Sequence, residues 1–113
     1  MKEIKAIIRP SMTEGVITAL KQIPGLPGIT VSEVKGFGRS HAAEAVGKPT
    51  EGMLDFVKRT KLEIVVPDEL LEPAISAIRT HAHRGKPGDG KIFVYTVVDV
   101  IEVRTGEHSK DSV

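Results

Sequence analysis

The segment RGKPGDGK, from Arg84 to Lys91, contains three glycines, three cations and one carboxylate between two apolar stretches. From Gly85 onward it follows most of the phosphate-binding pattern G-x-x-x-x-G-K-[ST], in which backbone N–H groups and the lysine surround phosphates and the hydroxyl binds magnesium. Ile92 stands where that hydroxyl belongs, and the stretch IFVYTVVDVIEV predicts a strand, whereas the nucleotidase loop opens a helix. The pattern therefore argues against an ordinary nucleotidase and leaves two alternatives, an anion-binding loop or a tight turn.

Four histidines, His41, His81, His83 and His108, raise the question of a metal site. His81 and His83 are two residues apart, so on a helix their side chains point about 200° apart and share no ligand face. Solvated positions are the favoured interpretation, because surface histidine is commonly exposed and unliganded. With no cysteine in the chain, we predict neither a disulfide nor a cysteine metal site, and we assign no metal ligand within one chain.

The first half of the chain predicts two strands and a helix. Residues 3–9 form a strand ended by Pro10, and ITVSEVKGFG predicts a second strand after a Pro- and Gly-rich break. Between them, Ser11 and Glu14 match the S-x-x-E capping box. Apolar residues then recur at helical spacing, at Met12, Val16, Ala19, Leu20 and Ile23. This pattern predicts an amphipathic helix.

The second half predicts a strand at 61–66, a helix marked by its apolar spacing, and a last strand over 92–103. Pro73 falls inside the helical pattern, so the helix must start late or have a distorted first turn. The order β-α-β-loop-β-α-β predicts one α+β domain over residues 1–113. Its expected fold is the ferredoxin-like βαββαβ sandwich, a four-stranded antiparallel sheet with two helices on one face.

A long loop over residues 38–55 separates the second and third strands. Connections in compact domains are usually about 4–6 residues long, and longer ones are commonly functional or disordered. Its sequence, GRSHAAEAVGKPTEGMLD, has no apolar periodicity. We therefore favour a partner-binding arm over an idle disordered insertion.

Composition narrows the functional classes. The chain has 113 residues and a net charge of +1, from 16 basic and 15 acidic residues, so it has no overall field that would attract nucleic acid or an anionic membrane. The opening MKEIKAIIRP is too short and too charged for a signal peptide. No run approaches a membrane span, so we expect a cytoplasmic protein without direct membrane insertion.

These segments together resemble the PII signal-transduction family of nitrogen-regulatory proteins. The resemblance rests on MKEIKAIIRP, TVSEVKGFGR, KLEIVVPDEL, RGKPGDGKIFV and DVIEVRTGE, which extend almost from end to end. It implies a homotrimer that binds ATP or ADP as a regulatory ligand, with magnesium as an accompanying ion, in clefts between subunits. It also makes 38–55 the T-loop, which docks on a transporter or regulated enzyme, 84–91 the B-loop, and 108–113 a polar C-terminal tail.

The resemblance also implies individual roles. The expected nucleotide-binding residues are Thr30, Gly36, Gly38, Arg39, Glu63, Ile64, Val65, Gly88, Asp89, Gly90, Lys91 and Arg104. The expected partner-binding residues of the T-loop are Ser40, His41, Glu44, Lys48, Thr50, Glu51 and Met53. Asp89 would repel phosphate unless turned away, so we expect it to fix the turn through hydrogen bonds to the backbone. A metal site formed by the His41 residues of a trimer is left open.

Departures from the family pattern suggest a divergent member with an atypical T-loop. Ser40 stands where a glutamine commonly helps hold magnesium-bound 2-oxoglutarate, and Arg59 stands where a lysine usually pairs with that ligand. Gly52 replaces the tyrosine that many members have uridylylated. Glu102 replaces an arginine, and on a strand it would lie beside Arg104 and neutralise it. We therefore expect neither ordinary 2-oxoglutarate sensing nor uridylylation.

Three functional hypotheses follow. The leading one is a nucleotide-sensing regulator without catalytic turnover, in which ATP or ADP reshapes the T-loop. The second is a PII-like adaptor for a transport or metal-linked pathway that senses another small ligand. The third, a slow ATPase using Lys91, is disfavoured because no base or hydroxyl magnesium ligand is evident.

Overall fold

The computed structural model of the chain describes residues 1–37 and 56–109. The strands and α-helices are, in chain order, β1 (Lys2–Ile8), α1 (Thr13–Lys21), β2 (Thr30–Gly36), β3 (Val57–Val66), α2 (Leu71–Ala82) and β4 (Gly90–Thr96). The four strands form one sheet in the order β2-β3-β1-β4, and every neighbouring pair is antiparallel. No helix in the described ranges is long and apolar enough to cross a membrane.

A single hydrophobic core lies between the sheet and the two helices. Alternate residues of the central strands β1 and β3 point into it, because successive side chains of a strand face opposite sides. The helices supply apolar residues at three- and four-residue spacing. The buried cluster consists of Ile4, Ala6, Ile8, Leu62, Ile64, Val66, Val16, Leu20, Ala74, Ile78 and Ala82. This arrangement confirms the predicted ferredoxin-like α+β fold.

The opposite face of the sheet, which we call the open face, carries charged and aromatic side chains. Phe93 and Tyr95 on β4 are 42% and 43% exposed. The Nζ atom of Lys5, on the neighbouring strand, lies 5.6 Å from the ring centroid of Phe93 and 5.1 Å from that of Tyr95. Aromatic rings are thus presented to solvent beside a cation.

The beginnings of both helices differ from the sequence prediction. Ser11 does not cap α1, because Pro10–Met12 forms a 3-10 turn and the helix begins at Thr13 without a side-chain cap. The capping-box prediction was wrong, since the fixed φ of Pro10 suits the start of that turn. Pro73 is the third residue of α2, within the first turn. An N–H there would lack an intrahelical partner, so proline is tolerated.

Two strand limits differ by more than two residues from those predicted. β3 begins at Val57 rather than at residue 61. β4 ends at Thr96, seven residues before the predicted end at Val103. The reason is that β4 is an edge strand paired only with β1, and β1 begins at Lys2, the partner of Thr96. Beyond that pair, the β-branched residues have no ladder to join, so strand propensity alone does not extend β4.

Candidate anion-binding site

The B-loop, residues 84–91, is a tight turn closed by its own carboxylate. Asp89 N–H donates to the carbonyl of Lys86 at 3.3 Å, with Pro87 and Gly88 between them. Gly88 has φ +94°, and proline followed by a positive-φ glycine is typical of a type II turn. Asp89 Oδ2 accepts hydrogen bonds from the N–H groups of Arg84 at 3.0 Å and Gly85 at 2.9 Å. The prediction that Asp89 fixes the turn is confirmed.

Arg9, just after β1, ties this turn to the sheet. Its Nη1 donates to Asp89 Oδ1 at 2.8 Å, and its Nη2 donates to the carbonyl of Pro87 at 2.8 Å. The side chains of Arg9 and Asp89 are 17% and 23% exposed, so their ion pair is partly shielded from water. The N–H of Arg84, together with that of Gly85 and the Arg9 guanidinium, lowers the pKa of Asp89 to about 2. The only carboxylate of the B-loop is therefore ionised, and Arg9 of the same chain neutralises its charge.

The B-loop requires glycine at its join to β4. Gly90 has φ +115°, a conformation that other residues rarely adopt. A Cβ at this position would overlap the carbonyl oxygen of Ile7 and lie 3.0 Å from its carbonyl carbon. Gly90 is thus needed by the chain itself, because it pairs with Ile8 and lies directly against the backbone of β1.

Basic groups gather around Gly88. A Cβ there would lie 3.0 Å from Nη2 of Arg9 and 3.2 Å from Nη2 of Arg59. The Arg59 side chain also passes Gly36 at the end of β2, where its Cγ would be 3.6 Å from a Cβ. Neither the Arg59 guanidinium nor the N–H of Gly88 has a hydrogen-bond or ion-pair partner among residues 1–37 and 56–109. With Arg84, Lys86 and Lys91 in the same loop, the local charge is positive.

A second cleft lies at the other end of the sheet, between β2 and β3. It has a volume of about 330 Å³ and is lined by Glu3, Pro27, Gly28, Thr30, Glu63 and Val65. Thr30 and Glu63 are directly paired across the two strands, and Glu63 Oε1 lies 3.5 Å from Nζ of Lys61. The cleft thus joins three of the predicted nucleotide-binding residues.

Ile64 differs from its two neighbours in this cleft. Its side chain is 1% exposed and belongs to the hydrophobic core, because it faces the opposite side of β3 from Glu63 and Val65. Its side chain is therefore not available to a ligand in this cleft. Pro27, Gly28 and Glu3 were missed by sequence reasoning. Pro27 and Gly28 lie just before Thr30 in a segment predicted only as a helix break, and Glu3 borders Val65 through the pairing of β1 with β3.

The two regions do not form one cleft within a single chain. Gly90 pairs with Ile8, whereas Glu63 pairs with Lys5 on the other side of β1. Three residues along a strand span about 10 Å, and two strand spacings add about 10 Å across the sheet. The predicted residues are therefore brought together as two separate groups.

Arg104 lies in a third place, on a C-terminal hairpin that we define as residues 99–109. Ile101 pairs with His108 in an antiparallel bridge, and the N–H of Glu102 donates to the carbonyl of Glu107 at 2.8 Å. Arg104 is exposed within the turn at 103–105. The expectation that Glu102 and Arg104 lie side by side on a strand was wrong, because β4 ends first. No ion pair joins these two described residues.

The hairpin is closed by a side-chain contact and leaves apolar residues in solvent. His108 Nδ1 lies 2.5 Å from Asp99 Oδ2. Val98 is 84% exposed, Ile101 57% and Val103 99%. Much of the apolar surface of these three residues therefore stays uncovered by their own chain.

The predicted residues of the T-loop lie outside the described residues. These are Gly38 and Arg39 of the nucleotide group and the whole partner-binding group, Ser40, His41, Glu44, Lys48, Thr50, Glu51 and Met53. Within the described ranges, no group of three or more histidine, aspartate or glutamate side chains is placed to hold a metal ion. His81 instead has its Nδ1 3.0 Å from the carbonyl oxygen of Ala77, one helical turn earlier.

Comparison with known proteins gives matches along the whole chain. The family profile described as Nitrogen regulatory protein P-II matches residues 1–107. The chain is 46% identical over 113 residues to the nitrogen regulatory protein P-II of Haemophilus influenzae, covering 100% of both chains. The protein of the same name from Rhodospirillum rubrum gives the same identity and coverage. Nitrogen regulatory protein P-II 1 of Escherichia coli is 47% identical over 107 residues, 95% of each chain. These matches give no support to the expectation of a divergent member.

Proposed function

The chain belongs to the nitrogen regulatory protein P-II family, and we propose that it is a signal-transduction regulator that binds adenine nucleotide and controls a partner protein through its T-loop. The observation that carries this proposal is the B-loop. Its one carboxylate is already neutralised by Arg9, so the surrounding cations and the N–H of Gly88, which has no hydrogen-bond partner among the described residues, remain for an anionic ligand. Backbone N–H groups in such a turn, reinforced by basic side chains, suit phosphate oxygens.

The cleft beside Thr30, Glu63 and Val65 supports a second part of the proposal, an adenine pocket. Its volume of about 330 Å³ and its mixture of apolar and polar lining residues suit a planar base with hydrogen-bonding edges. Glu63 and Thr30 supply polar atoms, and Val65 supplies apolar contact. The proposed site thus has a phosphate group of residues and an adenine group of residues.

We propose that these two groups meet across a subunit interface in a homotrimer. Within one chain the two groups lie at opposite ends of the sheet and Arg104 lies apart from both, so a copy packed on the open face can bring further groups to the ligand. Phe93 and Tyr95 on that face, and Val98, Ile101 and Val103 beyond it, are apolar and exposed. Burying such residues against neighbouring copies stabilises an oligomer at about 25 cal/mol per Å² of apolar surface. Arg104, at the hairpin turn, would then reach the phosphate-binding residues of a neighbouring copy.

The proposed output is a change in the T-loop that selects a transporter or regulated enzyme. Gly36 and Arg59 lie at its two ends and Arg59 also reaches Gly88, so a ligand at the B-loop is close to the base of the T-loop. Ser40 and Gly52 in the sequence still argue against ordinary 2-oxoglutarate sensing and uridylylation. No catalytic turnover is proposed, and the slow ATPase remains the weaker hypothesis.

Titration calorimetry with ATP, ADP and AMP, each with magnesium, tests the proposal. We expect wild type to bind without rapid hydrolysis, and Lys91→Ala to weaken binding by roughly 1–3 kcal/mol, the scale of a lost charge-assisted hydrogen bond. Lys21→Ala, which removes the same charge from α1, should bind as wild type does. No heat and no thermal shift with any nucleotide would contradict nucleotide sensing, and binding of a different small anion would favour the adaptor hypothesis.

Sedimentation tests the shared site independently. A homotrimer is expected at micromolar concentration, because the phosphate and adenine groups need two copies to meet. A monomer that still binds ATP would contradict the shared site while leaving nucleotide sensing intact.

A further inference from the structure

The B-loop contains a carboxylate where its proposed ligand brings negative charge. Asp89 lies between Gly88 and Gly90, within the segment that would surround phosphate. Unpaired, its charge would repel a triphosphate at short range, and the repulsion would grow with the charge of the ligand. The loop can serve a polyanion only if this charge is compensated.

Arg9 supplies that compensation and also holds the turn. Its two terminal nitrogens donate to different acceptors, Asp89 Oδ1 and the carbonyl of Pro87, each at 2.8 Å. One contact fixes the charged end of the loop and the other fixes its tip. A planar guanidinium can span two acceptors in this way, whereas a lysine ammonium is a single point of contact.

The contacts of Arg9 also fix the backbone conformation of the B-loop. With Oδ1 held by Arg9, Oδ2 remains directed at the N–H groups of Arg84 and Gly85. Three of the eight residues of the B-loop are glycines, so without such contacts the loop would sample many conformations. A ligand would then have to order the loop as it bound, and that ordering would reduce its affinity.

From these contacts we propose that Arg9 is a positioning residue for nucleotide binding: it neutralises Asp89 and locks the B-loop in its binding conformation. The inference rests on the proposed nucleotide site and deepens it. Arg9 acts through Asp89 and Pro87, to which its Nη1 and Nη2 atoms donate.

Five variants separate this role from general stabilisation: Arg9→Ala, Arg9→Lys, Asp89→Asn, the double variant Arg9→Ala/Asp89→Asn, and Lys21→Ala as the control for loss of one positive charge. Each is titrated with MgATP and MgADP, and its urea midpoint is recorded. Amide hydrogen exchange at Arg84 and Gly85 is measured without nucleotide, since these two N–H groups report directly on the Asp89 contact.

The expected loss of affinity differs in size between variants. Arg9→Ala should bind MgATP roughly tenfold more weakly, with a smaller loss for MgADP, and should exchange the two amides faster. Arg9→Lys should lie between Arg9→Ala and wild type. The double variant should bind MgATP more tightly than Arg9→Ala, because the asparagine oxygen still accepts from the loop N–H groups but the unpaired charge is gone. Lys21→Ala should match wild type.

An Arg9→Ala protein with unchanged MgATP affinity and unchanged exchange at Arg84 and Gly85 would overturn the inference. So would a double variant that binds no better than Arg9→Ala, since neutralisation would then have no role. If wild type binds no nucleotide, the proposed function fails instead, and the exchange rates still decide whether Arg9 holds the loop.

Discussion

The B-loop and the C-terminal hairpin are both short turns that combine basic residues with a positive-φ glycine, but the chain supports them very differently. The B-loop is held by Arg9 and by the pairing of Gly90 with Ile8 on β1. The hairpin is held by bonds between its own residues, and Val103 near its tip is 99% exposed. The B-loop packs against other parts of its own chain, whereas the hairpin leaves apolar surface exposed. Their difference suggests that the first is preformed and the second is positioned by a neighbouring copy.

The largest expected effect comes from comparing glycines in the two turns. Gly90→Ala should reduce the free energy of unfolding by about 3 kcal/mol or more, because both φ and the backbone of Ile7 forbid a Cβ. Gly106→Ala should cost only about 1 kcal/mol, since φ is +74° but no atom of the described residues lies within 4 Å of the added atom. Urea unfolding of both variants measures the difference, and equal losses would contradict the contrast between the turns.

Acid titration tests the closure of the B-loop. Asp89 has a folded pKa of about 2, below the value of about 3.9 for a free side chain. Its ionised form therefore stabilises the fold above pH 4, and that contribution is lost as pH falls through 2. The stability difference between wild type and Asp89→Asn should be constant from about pH 5 to 8 and shrink below pH 4. A difference that persists undiminished near pH 2 would show that the charge of Asp89 is irrelevant.

The smallest effect on stability is expected from the contact between His108 and Asp99 in the hairpin. His108→Ala removes the contact with Asp99, but the His108 side chain is 58% exposed, and exposed ion pairs contribute about 0.2–1 kcal/mol. Three backbone hydrogen bonds of 2.7–2.8 Å within the hairpin remain. Urea unfolding at low and high salt checks this. A loss above about 2 kcal/mol would mean that the contact between His108 and Asp99 stabilises parts of the domain beyond the hairpin.

Much of the fold could be predicted because burial leaves a periodic trace. The alternation of Ile4, Ala6 and Ile8, and the helical spacing of Val16 and Leu20, follow from one face of each element being packed. Element limits were harder to predict. The sequence 97–103 has strand composition, yet β4 ends at Thr96 because its partner strand ends there.

The candidate site was predicted in part. The B-loop glycines and the role of Asp89 in its turn could be inferred, since proline, glycine and aspartate have local conformational preferences. Arg9 could not be, because it is 80 residues away from Asp89 along the chain. Glu3 was missed for the same reason, since its place beside Val65 depends on how β1 pairs with β3.

The sequence by itself determined the elements, their order and the family, because local propensity, apolar periodicity and motif spacing are written in consecutive residues. Only the tertiary structure decided that Ile64 faces the core, that Arg9 neutralises Asp89, and that Arg104 sits on a projecting hairpin rather than a strand. These depend on strand register and on where a partner strand ends, and a register shift of one residue would reverse the face of every side chain. Such long-range pairings are fixed by the packing of the whole domain.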